Sequence, residues 1–366
     1  MRTAMKTVGG LLVALVAYLF LWPVPIQPVA LPAPAQPGYA GPYAVNTKLA
    51  NLQVVDLHGE IGPEHIAFGP DGKLYTTVAS GNILRMNADG SDQQVFANSG
   101  GRVLGFDFDA KGNLIAADAI EGLISITPDA KITVLTNAVN GDPIRYADAV
   151  VVAKTGKMYL SDASARFAPK DWGGTFEASV LDIIEQAATG RILEFDPATK
   201  TTRIVARGLS FANGVALSQD EQNLFVSETG RYRVWKIAVT ANELDVQQPN
   251  PQAVVFLDNL PGYPDNLMRG LNGKIWMGLV KPRNPVADNM SDKPWLRALT
   301  LRLPRAFWPV PKTYGHVVAF TEDGKVVADL QDPTGAYPET TAITETQDRL
   351  YVQSLHAHGL GWLPNR

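Results

Sequence analysis

A chain of 366 residues, 46% hydrophobic and 19% charged, has the make-up of a globular protein with ample core, neither disordered nor fibrous. A formal net charge of −4, with no basic tract in the body, argues against nucleic acid as a partner. Zero cysteines exclude disulfides, thiolate chemistry and Cys-type zinc or iron–sulfur sites, so any metal must be held by oxygen or imidazole.

Arg2 and Lys6 precede an apolar run over residues 8–22, which continues through Pro23, Pro25 and Pro28 to Leu31 with only Gln27 polar. Charge followed by an apolar stretch is the order of a signal sequence or signal anchor. Spanning takes about 20 residues, so residues 1–31 are expected to form a transmembrane signal anchor. Lysine and arginine lie before the run and the next is Lys48, which puts the N-terminus in the cytoplasm and the body on the periplasmic or extracytoplasmic side. Ala33-Pro34-Ala35 matches a cleavage site, and cleavage there would give a secreted protein. Residues 32–50, rich in proline, are expected to be a stiff, extended linker.

Beyond the linker, a turn rich in Gly, Asp and Asn followed by a pair of large apolar residues recurs six times: Leu74-Tyr75, Leu114-Ile115, Met158-Tyr159, Leu224-Phe225, Ile275-Trp276 and Leu350-Tyr351. The intervals are 40, 44, 66, 51 and 75 residues, a unit of 40 with loop insertions of different sizes. That is the length of one four-stranded propeller blade. Short alternating strands and tight turns precede each pair, as in Ile66-Ala67-Phe68 before Pro70-Asp71-Gly72-Lys73. The predicted fold is all-β, a six-bladed propeller over residues 51–366 behind an N-terminal membrane-anchor helix. Residues 52–57 complete the last blade and hide its edge. The alternative is a β-sandwich or two smaller β domains. Helical periodicity outside the anchor is confined to residues 176–188 and 295–308, both inside the oversized intervals.

In a propeller the innermost strand of every blade starts at one mouth of the central channel. Counting ten residues back from each pair gives Glu64, Leu104, Asp148, Gly214, Asp265 and Thr340, with Asn213 replacing Gly214 because the turn at 219–223 is one residue longer. Four of six blades thus carry an acid or amide at one spot. Three carboxylates about 5 Å apart would repel by roughly 3 kcal/mol per pair at an effective dielectric near 20, and a bound cation would compensate them. All-oxygen ligation by Glu64, Asp148, Asn213, Asp265 and the adjacent Asn266 suits Ca²⁺, with magnesium as the stricter alternative. The plain alternative is that these side chains cap strand ends and loops. Asp118, Asp162 and Glu228, where the second strands return to the same mouth, are expected to satisfy loop amides. His65 should point away from the axis by alternation. His58 and His316 look like ordinary strand or edge positions, while His356 and His358 can reach the mouth. No G-x-S-x-G elbow, P-loop or H-E-x-x-H motif is present.

Four segments in order, Gly-Arg-Ile-Leu-Glu-Phe-Asp (190–196), Phe-Ala-Asn-Gly-Val-Ala-Leu (211–217), Pro-Gly-Tyr-Pro-Asp-Asn (261–266) and Trp-Met-Gly-Leu (276–279), make the chain resemble the strictosidine synthase-like and adipocyte plasma membrane-associated group of six-bladed propellers. Paraoxonases and gluconolactonases are more distantly similar. The likeness covers residues 52–362. It implies a propeller around a catalytic Ca²⁺, an N-terminal membrane anchor and esterase or lactonase activity. The paraoxonase calcium ligands correspond to Glu64, Asn213, Asp265 and Asn266, with Asp148 in place of an asparagine. The paraoxonase histidine of the second blade has no counterpart, since Leu104 stands there. The catalytic glutamate of strictosidine synthase falls near Thr341, with Glu339 reachable only by a gap, so Pictet–Spengler condensation is not expected.

The chemistry expected from these residues is metal-assisted hydrolysis of an ester or lactone. Ca²⁺ polarises the carbonyl, and Asp265 or Asp148 activates water. Residues 166–189 and 281–314 would frame the pocket. The second of these, with Trp295, Leu299, Phe307 and Trp308 among Arg297, Arg302 and Arg305, either rests on the membrane through residues 295–308 or packs as a lid. The competing expectation is a non-enzymatic, membrane-anchored propeller that binds a small molecule or protein, with structural calcium.

Overall fold

The computed structural model describes residues 2–365; Met1 and Arg366, the outer limits of the expected anchor and propeller, lie outside the described residues, as do the side chains of Arg2, Thr3 and Ala4. Six antiparallel units of four strands succeed one another around an axis, with inner strands Ile66–Phe68, Val103–Phe108, Ala147–Val152, Ala212–Leu217, Gly262–Arg269 and Thr340–Glu345; the third gains a short fifth strand, Leu244–Asp245, paired parallel to its outer edge. The recurrent apolar pairs open the second strand of each blade. These strands are covered by neighbours on both faces, and in the second blade Leu114, Ile115, Ala116 and Ala117 form a continuous buried apolar run. Each large aliphatic side chain fully buried there contributes about 1.5–3 kcal/mol. In the first, second, fourth and sixth blades the turns before them are built by Asp71, Asp109, Asp220 and Asp348. In the second blade the Asp109 carboxylate accepts from the amides of Lys111 at 2.9 Å and Asn113 at 2.8 Å.

The ring closes as expected. Gln53–Val55 adds antiparallel to Leu360–Pro364, pairing Gln53 with Trp362 and Val55 with Leu360, so the sixth blade contains both ends of the propeller.

Each of the last four inner strands is bulged at its mouth end. Register slips between Ala147 and Val150, between Ala212 and Val215, between Pro264 and Leu267, and between Thr340 and Ile343. A bulge re-aims the side chains it contains, and these bulges contain Asp148, Asn213, Asp265 with Asn266, and Thr341. The sixth position is therefore Thr341. Counting back lands on Thr340 because the hairpin of that blade has four residues between Glu345 and Leu350, where the second blade has five between Phe108 and Leu114. At the bulge of the fourth blade Gly214 is required, since a Cβ there would lie 2.4 Å from the Leu267 amide and 2.5 Å from the Asp265 carbonyl.

Helix α1 (Arg2–Leu21) is the expected N-terminal helix. It stops ten residues short of Leu31, because Pro23, Pro25 and Pro28 supply no amide hydrogens and clash with a helical backbone. Among the described residues no helix is long and apolar enough to cross a membrane. The proline-rich segment after α1 is not a free linker. Ile26 is buried with Leu104, Phe167, Leu181 and Phe211, and the strand-like segment through Pro34 crosses the mouth. Two inserted helical segments hold it, both between second and third strands: α2 (Pro169–Trp172) and α3 (Thr175–Glu185) in the third blade, α4 (Pro285–Asn289) and α5 (Pro294–Arg302) in the fifth. The amides of Gln27 and Val29 donate to the carboxylate and carbonyl of Glu185 at 2.7 and 2.9 Å. Those of Leu31 and Ala33 donate to the carbonyl and hydroxyl of Ser291 at 3.1 and 2.8 Å. Arg297 caps the Val29 carbonyl and Arg283 the Pro34 carbonyl.

Candidate active site

Glu64, Asp148, Asn213 and Asp265 are buried together on the floor of a cavity of about 790 Å³, a size suited to a small organic ligand. Asn266 turns elsewhere. Its amide donates to the backbone carbonyl of Glu64 at 3.2 Å, and Thr341 donates to the same carbonyl at 2.8 Å, so the fifth and sixth blades hold the first. Leu104 completes the floor as an apolar side chain.

The floor is strongly acidic. Burial, reinforced by the charges of Asp265 and Glu64, pushes the Asp148 carboxyl well above the usual range. Asp265 is raised in the same way by burial, Glu64 and Glu339, against hydrogen bonds from Asn213 and Asn266. Burial also raises Glu64, opposed by Arg102, whose guanidinium lies 2.6 Å from its carboxylate. Of the three carboxyl groups only Glu64 has a guanidinium partner, so ionising Asp148 and Asp265 calls for positive charge that the described residues do not place beside them. Asn213 turns its amide to Asp265, and its buried Oδ1 has no hydrogen-bond partner. An oxygen-only donor set short of two positive charges fits a hard divalent cation. Among the described residues no three His, Cys, Asp or Glu side chains are gathered in ligating geometry.

Alternation sets a second ring. Two residues before five of the six floor positions stand Arg102, Tyr146, Phe211, Tyr263 and Glu339, and all five line the cavity. Lys281 lies 2.5 Å from one Glu339 oxygen, and His356 Nδ1 contacts the other. Phe176, Ile184, Trp308 and residues 31–34 of the crossing segment form the upper wall.

The remaining expected residues divide cleanly. Asp118 accepts from the amides of Arg102, Ile120 and Glu121. Asp162 accepts from Tyr146 and Arg191, and Glu228 from Ser210, Arg233 and Trp235. All three therefore tie loops, as expected. His65 is buried against Phe106, ring centroids 4.7 Å apart, and burial lowers its pKa to about 4. His316 pairs with Asp329 at 2.7 Å, while His358 is exposed.

Two family models match the chain: "Strictosidine synthase-like, N-terminal" over residues 41–86 and "Strictosidine synthase" over 148–242. The adipocyte plasma membrane-associated protein of Salmo salar is 32% identical over 97% of this chain and 88% of its own length. The chain belongs to the strictosidine synthase-like family. Within that family the strictosidine synthase-like protein 13 of Arabidopsis thaliana is 30% identical over 78% of this chain and 77% of its own. Among solved structures, a gluconolactonase from Xanthomonas campestris superposes with a TM-score of 0.60 at 18% identity, covering 92% of this chain and 99% of that one. Regucalcin of Agrobacterium tumefaciens, described as calcium-binding, gives 0.57 at 15%, covering 85% and 92%. Both likenesses are of fold. In this strictosidine synthase-like chain Arg102, Lys281 and Glu339 are site residues that counting to a single column missed.

Proposed function

We propose that this strictosidine synthase-like chain is a membrane-associated hydrolase of esters or lactones that uses a divalent cation, Ca²⁺, at the propeller mouth. The observation that carries the reading is an acidic, oxygen-rich floor short of positive charge beneath a largely apolar cavity. Glu64, Asp148, Asn213 and Asp265 are the residues that would hold the ion, with Asn266 bracing Glu64 from behind. Bound there, the cation would supply Lewis acidity toward a carbonyl oxygen. Asp148 or Asp265, brought to its ionised form, takes a proton from water. The apolar upper wall receives the acyl or ring portion of the substrate and excludes bulk water. Thr341 in the sixth-blade position offers no acid for a Pictet–Spengler step.

Membrane association is proposed from α1, whose Val8, Leu11, Leu12, Val13 and Phe20 are exposed, and from the neighbouring Trp295 and Phe307. α1 rests on α5 through the Tyr18 hydroxyl, which donates to the Arg302 carbonyl at 3.1 Å. This platform sets the propeller on the extracytoplasmic face of a bilayer.

The test is hydrolysis of a panel of aryl esters and lactones by the purified full chain with Ca²⁺. Activity that Asp265→Ala abolishes supports the reading. Absence of turnover, with Asp265→Ala altering thermal stability alone, establishes a binding propeller instead. Calcium is tested separately: EGTA should lower the melting temperature, because an ion bound only to the native state stabilises it, and an unmoved midpoint removes the ion.

A further inference from the structure

The inner strand of the sixth blade is preceded by Glu339, a buried carboxylate in a left-handed backbone conformation, φ 51°, that non-glycine residues seldom adopt. One of its oxygens meets Lys281 and the other meets Nδ1 of His356. Two cations hold its pKa down to about 2, so it is a carboxylate at every physiological pH.

His356 sits on a turn that the structure fixes from both sides. Ser354 Oγ accepts from the amides of His356 and Ala357 at 3.3 and 3.0 Å, and the Ala357 carbonyl accepts from Gly62 at 2.9 Å. The ring is half exposed and lines the cavity beside the acidic floor. No described residue takes its other nitrogen, Nε2. A carboxylate that engages Nδ1 fixes the tautomer and leaves Nε2 as the atom that exchanges protons with a ligand.

We propose that His356 is a catalytic residue of the hydrolysis, the general acid that protonates the departing alkoxide from Nε2, and that Glu339 is the residue that positions it. The proposal rests on the hydrolase reading. A floor carboxylate accepts one proton as the water oxygen bonds to the carbonyl carbon. Collapse of the tetrahedral adduct breaks the bond to the leaving oxygen, which takes the proton of Nε2. Acid and alcohol leave, and the proton on the floor returns to the imidazole through solvent, so nothing is gained or lost. The charged groups that face the ring suit this role: Glu339 and Glu64 raise its pKa above the usual histidine value, outweighing burial and Lys281.

A general acid matters in proportion to how poor the leaving group is. With full-length protein and Ca²⁺, His356→Asn should lower kcat/KM for ethyl butyrate or δ-valerolactone by about a hundredfold or more, and for p-nitrophenyl butyrate by less than about tenfold, since nitrophenolate departs unprotonated. Equal losses on both, or none, overturn His356 as the acid and leave the hydrolase intact. A wild-type chain that turns over none of these substrates overturns the hydrolase and this proposal with it. Glu339→Gln provides a readout that needs no turnover. The His356 imidazole, followed by NMR and assigned by its loss in His356→Asn, should titrate at lower pH in that variant. The alkaline limb of the ethyl butyrate profile should move down with it. An unmoved midpoint removes Glu339 from the mechanism.

Discussion

Arg102 is a cation that the floor already holds, and it sets up a competition. Removing it leaves Glu64 buried without its partner, which costs about 3–5 kcal/mol, yet frees that carboxylate for an ion. Arg102→Ala is therefore expected to melt lower than wild type without metal and to gain more from added Ca²⁺. Equal gains in a thermal-shift series would show that Glu64 is not a ligand. Asp182 offers a cleaner pH test. On α3 it is buried, and desolvation raises its pKa from 3.8 to about 7. A carboxyl whose folded pKa exceeds its unfolded one stabilises at low pH, and that contribution disappears as pH rises toward 7. Asp182→Asn should consequently gain on wild type in urea unfolding between pH 4 and pH 7, by a few kcal/mol. The column of floor residues was legible because the apolar pairs keep time around the ring. Its sixth member was displaced by one residue because hairpin length is local. The second ring was equally visible in principle: Arg102 and Glu339 stand two residues before the column, on the same face. Arg102's pairing with Glu64 was not, nor Glu339's with Lys281, because each joins different blades.

At the scale of elements, residues 22–34 show where composition misleads. An apolar run with prolines has the same hydropathy in a bilayer or against a protein surface. Here Glu185, Ser291, Arg283 and Arg297 provide the hydrogen bonds that dock it, and they lie 150 or more residues away in the chain. Arg297→Ala should loosen this crossing segment, with faster amide exchange at Val29 and Leu31 and unchanged exchange in the inner strands. Uniform change throughout would assign Arg297 to global stability. Deleting α1 alone, residues 2–21, should abolish flotation with liposomes while leaving ester hydrolysis in detergent; retained flotation would move the membrane contact to Trp295 and Phe307.

For the molecule as a whole, the repeat specified six blades and the closing strand, since every blade must meet a neighbour on both faces. Truncation before residue 37 is expected to leave a cooperatively unfolding propeller. Truncation before residue 58 removes Gln53–Val55, bares the edge of Leu360–Pro364 and should lower the melting temperature sharply and promote association. Equal stability of the two truncations would show that closure contributes little. The same junction imposes an order in time. The strand that seals the ring emerges from the ribosome before any blade and its partner after five of them, so those five can assemble while the sixth waits for Leu360–Pro364. Through that interval the N-terminal segment is held in reserve. The floor residue Glu64, braced by Asn266 and Thr341, is set only once the fifth and sixth blades are in place, which makes the mouth the last part of the propeller to form.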